Sequence, residues 1–142
     1  MSNILEVKFS AKSENESLAR VIVASFAAKL DPTLDELVDI KTAVSEAVTN
    51  AIIHGYEDDE EKFVSIKCKI DGDTITIAVE DDGFGIDNLE EAMEPLYTSK
   101  PELERSGMGF TVMKSFMDDV NVSSIKGKGT RIELAKKINS PK

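Results

Sequence analysis

Apolar positions along the chain change period several times, and each change marks an element. Leu5, Val7 and Phe9 alternate with Glu6 and Lys8, which predicts a short strand over 4–9. From Ser13 the period becomes helical. Leu18, Val21, Ile22, Ser25 and Phe26 recur at spacings of three and four to about Lys29, and Ser13 with Glu16 has the spacing of a capping box. Asp31-Pro32-Thr33 breaks the pattern. Thr33 with Glu36 then opens a longer helix whose stripe is Leu37, Ile40, Val44, Ala47, Val48 and Ala51. It is expected to run to about Ile53, with Gly55 as its terminator. Val64, Ile66, Cys68 and Ile70 alternate with polar residues, as do Ile75, Ile77 and Val79. Asp71-Gly72-Asp73 between them predicts a hairpin, whose apolar face the two helices would cover. A further helix is predicted through Val112, Met113 and Phe116, then two strands over 119–124 and 130–135. Between 88 and 105 the pattern weakens around Pro95 and Pro101, which reads as a long excursion with a short helix near 89–93. The tail, 136–142, is polar and expected to fray.

With 142 residues the chain is one domain by size and large enough for a core. Its 27 acidic against 17 basic side chains give a net charge of −10, which argues against direct nucleic-acid binding and against an anionic membrane surface. It suits a basic protein partner, or simply solubility, the commoner reason. The acidic run 57–61 is expected to be a solvated loop. Cys68 is the single cysteine, so no internal disulfide forms, and its place in a strand predicts a small core residue. No apolar run is long enough to cross a bilayer and the N-terminus lacks the order of a signal peptide, so a cytoplasmic protein is expected.

Candidate chemistry begins on the long helix. Glu46 and Asn50 lie one turn apart, about 40° from each other around the axis and off the apolar stripe. A carboxylate there can accept a proton, and an amide oxygen is a hard ligand suited to Mg²⁺. Taken alone, the pair reads most simply as solvated helix residues. Three glycine-bearing segments change that weighting: Asp81-Asp82-Gly83-Phe84-Gly85, Ser106-Gly107-Met108-Gly109-Phe110 and Gly127-Lys128-Gly129-Thr130. Glycines let backbone approach a ligand, and amides at a helix start suit phosphate. Neither a Walker loop nor a Rossmann fingerprint is present.

The order of these segments is more specific than any one of them. E-x-x-x-N on a helix, D-x-G-x-G after a strand, an excursion, G-x-G at a helix start and G-x-G-T entering a last strand resemble the ATP-binding fold shared by gyrase B, Hsp90, sensor histidine kinases and MutL. The stretch E-A-V-T-N-A-I-I-H-G-Y looks like that of the stand-alone anti-sigma factor serine kinases of spore-forming bacteria. The likeness implies one ATP-binding kinase domain over 1–142, without the added domains of gyrase, Hsp90 or MutL and without the histidine-bearing helices of a sensor kinase. The single histidine, His54, reads as a packing residue at the helix end.

The fold it implies is an α+β two-layer sandwich: a mixed, mostly antiparallel sheet covered on one face by about three helices, with an ATP lid over 88–106. By the same resemblance, Glu46 is the general base or orienting acid, Asn50 holds Mg²⁺, and Asp81 accepts from the adenine amino group. Gly83 and Gly85 pass close to the base and Thr130 bonds near the same edge. Gly55, Ser106, Gly107, Met108, Gly109 and Phe110 join the ATP site. Arg105, at the lid's end, is placed by position and charge to meet the γ-phosphate, or else is a solvated lid arginine. Arg20 lies off its helix's stripe, as a solvated side chain or a charged contact to a partner.

The implied activity is inhibition of a sporulation sigma factor, together with Mg-ATP-dependent phosphorylation of a serine on an anti-anti-sigma antagonist. A homodimer is implied too, with the first strand and first helix as candidate surfaces. Two other readings stay open: a nucleotide-sensing anti-sigma module without turnover, and an isolated histidine-kinase-type catalytic domain.

Overall fold

The computed structural model describes residues 2–55, 61–83, 109–125 and 127–139. The alternating segments form five strands: β1 (Ser2–Ser10), β2 (Phe63–Asp71), β3 (Thr74–Asp81), β4 (Asp119–Ile125) and β5 (Gly129–Lys137). They lie in the order β1-β2-β3-β5-β4. Every described pairing is antiparallel, so the expected mixed sheet is corrected to an antiparallel one. Short loops explain part of this. Asp71 pairs with Thr74 and Ile125 with Gly129, and connections that brief join only antiparallel strands. Gly72 opens the first loop at φ 63°, a conformation that costs glycine little.

Strand alternation sorts the sheet into two faces. On the inner face Leu5, Cys68, Ile77, Leu134 and Val120 form one cross-strand row, and Val7, Ile66, Val79, Ile132 and Val122 the next. Burial pushes the Cys68 thiol up to about 12, which marks it as an unreactive core group. The outer face carries charge, with Lys67 Nζ 3.6 Å from Glu6 and Arg131 3.1 and 2.8 Å from Glu80 and Glu133. Exposed pairs of this kind contribute about 0–1 kcal/mol each, so the inner rows dominate stability.

Three helices cover the inner face: α1 (Glu14–Ala27), α2 (Leu34–Asn50) and α3 (Gly109–Phe116), with α2 packed against both others. The Thr33–Glu36 capping box forms in both directions. The one expected at Ser13 does not. Ser13 is already helical, at φ −55° and ψ −35°, and makes no side-chain cap. Glu16 instead accepts from the Ser45 hydroxyl on α2. The stripe of α1 is also shifted. Ala19, Val23, Phe26 and Ala27 are buried, whereas Leu18 and Val21 are 52% and 55% exposed. That helix is apolar around most of its circumference, so period alone does not fix which face turns inward.

The last turn of α2 also departs from expectation. Ala51–Gly55 is a π-helical turn rather than a continued α-helix. Nor does the tail fray from 136. The Ile138 side chain is buried and its N–H donates to Asp73 O at 2.8 Å. Lys136 Nζ donates to Phe116 O and lies 3.6 Å from Asp39, and the Asn139 N–H donates to Glu36 Oε2 at 2.7 Å. These bonds carry β5 back onto the start of α2, beyond what a polar composition suggests.

Candidate nucleotide site

That attachment sets the direction of α2 over the sheet. Its first turn is tied to the chain just beyond the end of β5, and the π turn at its other end packs on β3 and β5. Glu46 and Asn50, in its last turns, are therefore carried toward the end of the sheet where β3 finishes and β5 begins. Both side chains are half-buried.

At that end the inner rows change character. Asp81 pairs with Thr130, and Thr130 with Ser124, so on β3, β5 and β4 the next core-facing positions are polar, while Phe9 and Val64 on β1 and β2 stay apolar. Asp81 and Thr130 are only 7% and 6% exposed. The Gly83 N–H donates to Asp81 Oδ1 at 2.9 Å. Burial raises the Asp81 carboxyl to about 6, with the nearby Asp82 charge adding and backbone bonds from Gly83 and Thr130 opposing. Thr130 Oγ1 and Ser124 Oγ share a hydrogen bond of 2.9 Å, and Ser124 Oγ also donates to Gly129 O at 3.2 Å.

Gly129 explains one glycine of G-K-G-T physically. Its φ is 117°, and a Cβ there would sit 2.1 Å from the Asp81 carbonyl oxygen. The strand start thus presses directly on the aspartate's backbone, and only glycine permits that. A buried carboxylate on such a cradle is an acceptor for the N–H of a flat, amine-bearing base. The donor types on the last turns of α2, one amide oxygen and one carboxylate, suit a Mg²⁺ that takes its remaining ligands from phosphate and water. Among the described residues no group of three or more His, Cys, Asp or Glu gathers as a metal cage.

Gly109 begins α3, as expected, and Phe110 is buried in the core at 6% exposure. Phe110 thus anchors α3, and any nucleotide contact it makes falls to its backbone. Gly55 closes the π turn. Gly85, Arg105, Ser106, Gly107 and Met108 lie outside the described residues, as do the proposed lid, the short helix near 89–93 and most of the acidic run. Arg20 borders a separate cavity of about 410 Å³ between α1 and α2, lined also by Glu16, Ser17, Ser45 and Thr49. Its Nη2 donates to Ser17 Oγ at 3.4 Å and lies 3.8 Å from Glu16 Oε2.

Ser124 was not singled out from sequence, yet a signal for it exists. In β3, β4 and β5 the inward positions Ile77, Val79, Val120, Val122, Ile132 and Leu134 are apolar, and Asp81, Ser124 and Thr130 interrupt that alternation at one end. Ser45 and Glu16 carried no such signal, because their contact joins residues 29 apart in sequence.

Comparison with known proteins bears on the family and the fold. The family described as histidine kinase-like ATPase domain matches residues 9–136. The anti-sigma F factor of Clostridium perfringens strain SM101 is 66% identical over 99% of this chain and 100% of its own length. That of Clostridium acetobutylicum is 64% identical over 96% of this chain and 95% of its own. A crystal structure of RsbU and RsbW domains from Mycobacterium tuberculosis has a TM-score of 0.69 over 96% of this chain and 32% of that one, at 18% identity, a likeness of fold alone. The chain belongs to the anti-sigma F factor family, within the histidine kinase-like ATPase domains.

Proposed function

We propose that the protein inhibits a sporulation sigma factor by binding it, and uses Mg-ATP to phosphorylate a serine on an anti-anti-sigma antagonist protein. One observation carries the reading most of the way: a polar triple, Asp81–Thr130–Ser124, interrupts the core-facing side of the sheet in a chain 66% identical to an anti-sigma F factor along its length. Bound Mg-ATP supplies the phosphoryl group. Asp81 accepts from the adenine amino group, with Thr130 beside it, and Asn50 offers its amide oxygen to the ion. Glu46 orients the incoming serine hydroxyl and takes its proton. Phosphoryl transfer is loose and needs little early deprotonation, so the reaction does not require a base tuned to neutral pH at Glu46. Gly83, Gly85, Gly55 and the segment 105–110, Arg105 included, complete the ATP site on this reading.

Arg20 is assigned to partner contact. The proposed homodimer uses β1, an edge strand, and the exposed Leu18 and Val21 of α1. No described helix is long and apolar enough to cross a membrane, and the acidic charge disfavours direct nucleic-acid binding. A cytoplasmic location fits a sigma-factor partner.

Incubation with labelled ATP and the purified antagonist tests the reading. A phosphoserine on the antagonist is the expected product. Tight ATP binding with no transfer would leave a nucleotide-sensing module, and an acid-labile phosphohistidine would point to histidine-kinase chemistry. Asn50→Ala should lose Mg-dependent ATP binding and transfer together. Unchanged binding and turnover in that variant would remove the metal assignment.

A further inference from the structure

The carboxylate of Glu16 has partners on two helices, with Ser17 Oγ also donating to Oε2 at 3.5 Å. Oε1 accepts the hydroxyl of Ser45 on α2, while Oε2 lies 3.8 Å from Arg20 Nη2 one turn further along α1. The Glu16 side chain is 17% exposed and that of Arg20 38%. Arg20 therefore reaches solvent at the rim of the cavity between α1 and α2, and its counter-charge is set back beneath it.

An ordinary i,i+4 Glu–Arg pair on a helix surface holds neither side chain firmly, because both move among rotamers. Here the third member changes the situation. Ser45 follows Val44 and precedes Ala47 and Val48, all three fully buried, so α2 is fixed in the core at that point. The Ser45 hydroxyl is thus a fixed donor, and it pins Glu16. The capping role expected of Glu16 is not formed, so its carboxylate is committed across the helix pair and not at the helix start. Among the described residues lining the cavity, Arg20 is the only cation and Glu16 the only anion.

We infer that Glu16 and Ser45 are positioning residues for Arg20, holding its guanidinium in the orientation in which a protein partner meets it. This rests on the reading of Arg20 as a partner contact and deepens it. The physical gain is preorganisation: a long side chain already confined by Glu16 and Ser17 loses less freedom when an acidic or carbonyl group engages it. The same Ser45 bond ties α1 to the helix that bears Glu46, so the recognition rim and the transfer site sit on one hydrogen-bonded unit.

A double-mutant cycle with the purified antagonist tests this. Ser45→Ala removes the pin without touching charge, and should weaken antagonist binding roughly threefold to tenfold while leaving ATP affinity unchanged. Ser45→Thr keeps a hydroxyl and should restore binding. In an Arg20→Ala background, Ser45→Ala should cost nothing further. In the free protein, the Arg20 Nε–H resonance should show greater motional averaging in Ser45→Ala than in the parent. An equal loss with and without Arg20, or no loss at all, would overturn the inference while sparing the partner assignment. Full antagonist affinity in Arg20→Ala would instead overturn that assignment and the inference with it. A thermal melt of Ser45→Ala close to that of the parent guards against a folding defect.

Discussion

Asp81, the proposed base-recognition residue, carries a cost to the fold. Its carboxyl is buried at the end of a core-facing row, and burial lifts it from 3.8 to about 6. A raised acid favours its protonated form in the folded state. Its contribution to stability is therefore full below the unfolded value, near 3.8, and is lost as pH rises through about 6. Two units correspond to about 3 kcal/mol, so at neutral pH the ionised group destabilises the nucleotide-free protein by roughly that much. The proposed base recognition has the opposite demand, since the carboxylate is the stronger acceptor from an amino group and carries no competing O–H. ATP affinity measured between pH 5 and 8 should fall as pH drops through about 6. Over pH 4 to 6 the melting temperature of Asp81→Asn should vary less with pH than that of the parent. An ATP affinity flat across this range would mean that Asp81 does not contact the base. The aspartate itself was legible in sequence through D-x-G-x-G. Its burial was not, because that depends on Thr130 and Gly129 arriving from β5.

At the scale of elements, α1 is where the sequence misleads most. The stripe Leu18, Val21, Ile22 and Phe26 has helical spacing, but Ala19 and Val23 face the core in place of Leu18 and Val21. Two large apolar side chains on solvent, beside an edge strand, are expected of a surface that a second copy covers. Val21→Glu should convert a dimer to a monomer in sedimentation velocity, with little loss of thermal stability in the monomer. A dimer that persists in that variant would move the interface away from α1. The α2 start behaves as its sequence says. Thr33→Ala should cost about 1 kcal/mol in urea unfolding, the ordinary loss for a side-chain N-cap.

Across the whole molecule, the closing segment at 136–139 does what composition hides. Ile138 fills the core edge, and Asn139 holds Glu36, whose carboxyl is lowered chiefly by that backbone bond and then by the one from Thr33. This attachment orients α2 so that its far end meets the far end of β5. A chain ending after Lys137 should unfold at lower urea concentration and exchange amide hydrogens faster in the first turns of α2. Unaltered exchange there would show that packing with α1 and α3 alone sets the helix direction.

The sequence by itself determined the strands and helices among the described residues, the hairpin turn at Asp71-Gly72-Asp73 and the buried cysteine. Those depend on local period, turn chemistry and side-chain identity, which lie within a few residues of one another. Only the tertiary structure decided which face of α1 is inside, that Glu16 answers Ser45 and not its own helix start, and that Asp81, Thr130 and Ser124 share one row. Each of those is a contact between segments distant in the chain, and burial assigns it by the shape of what packs opposite, which no local spacing encodes.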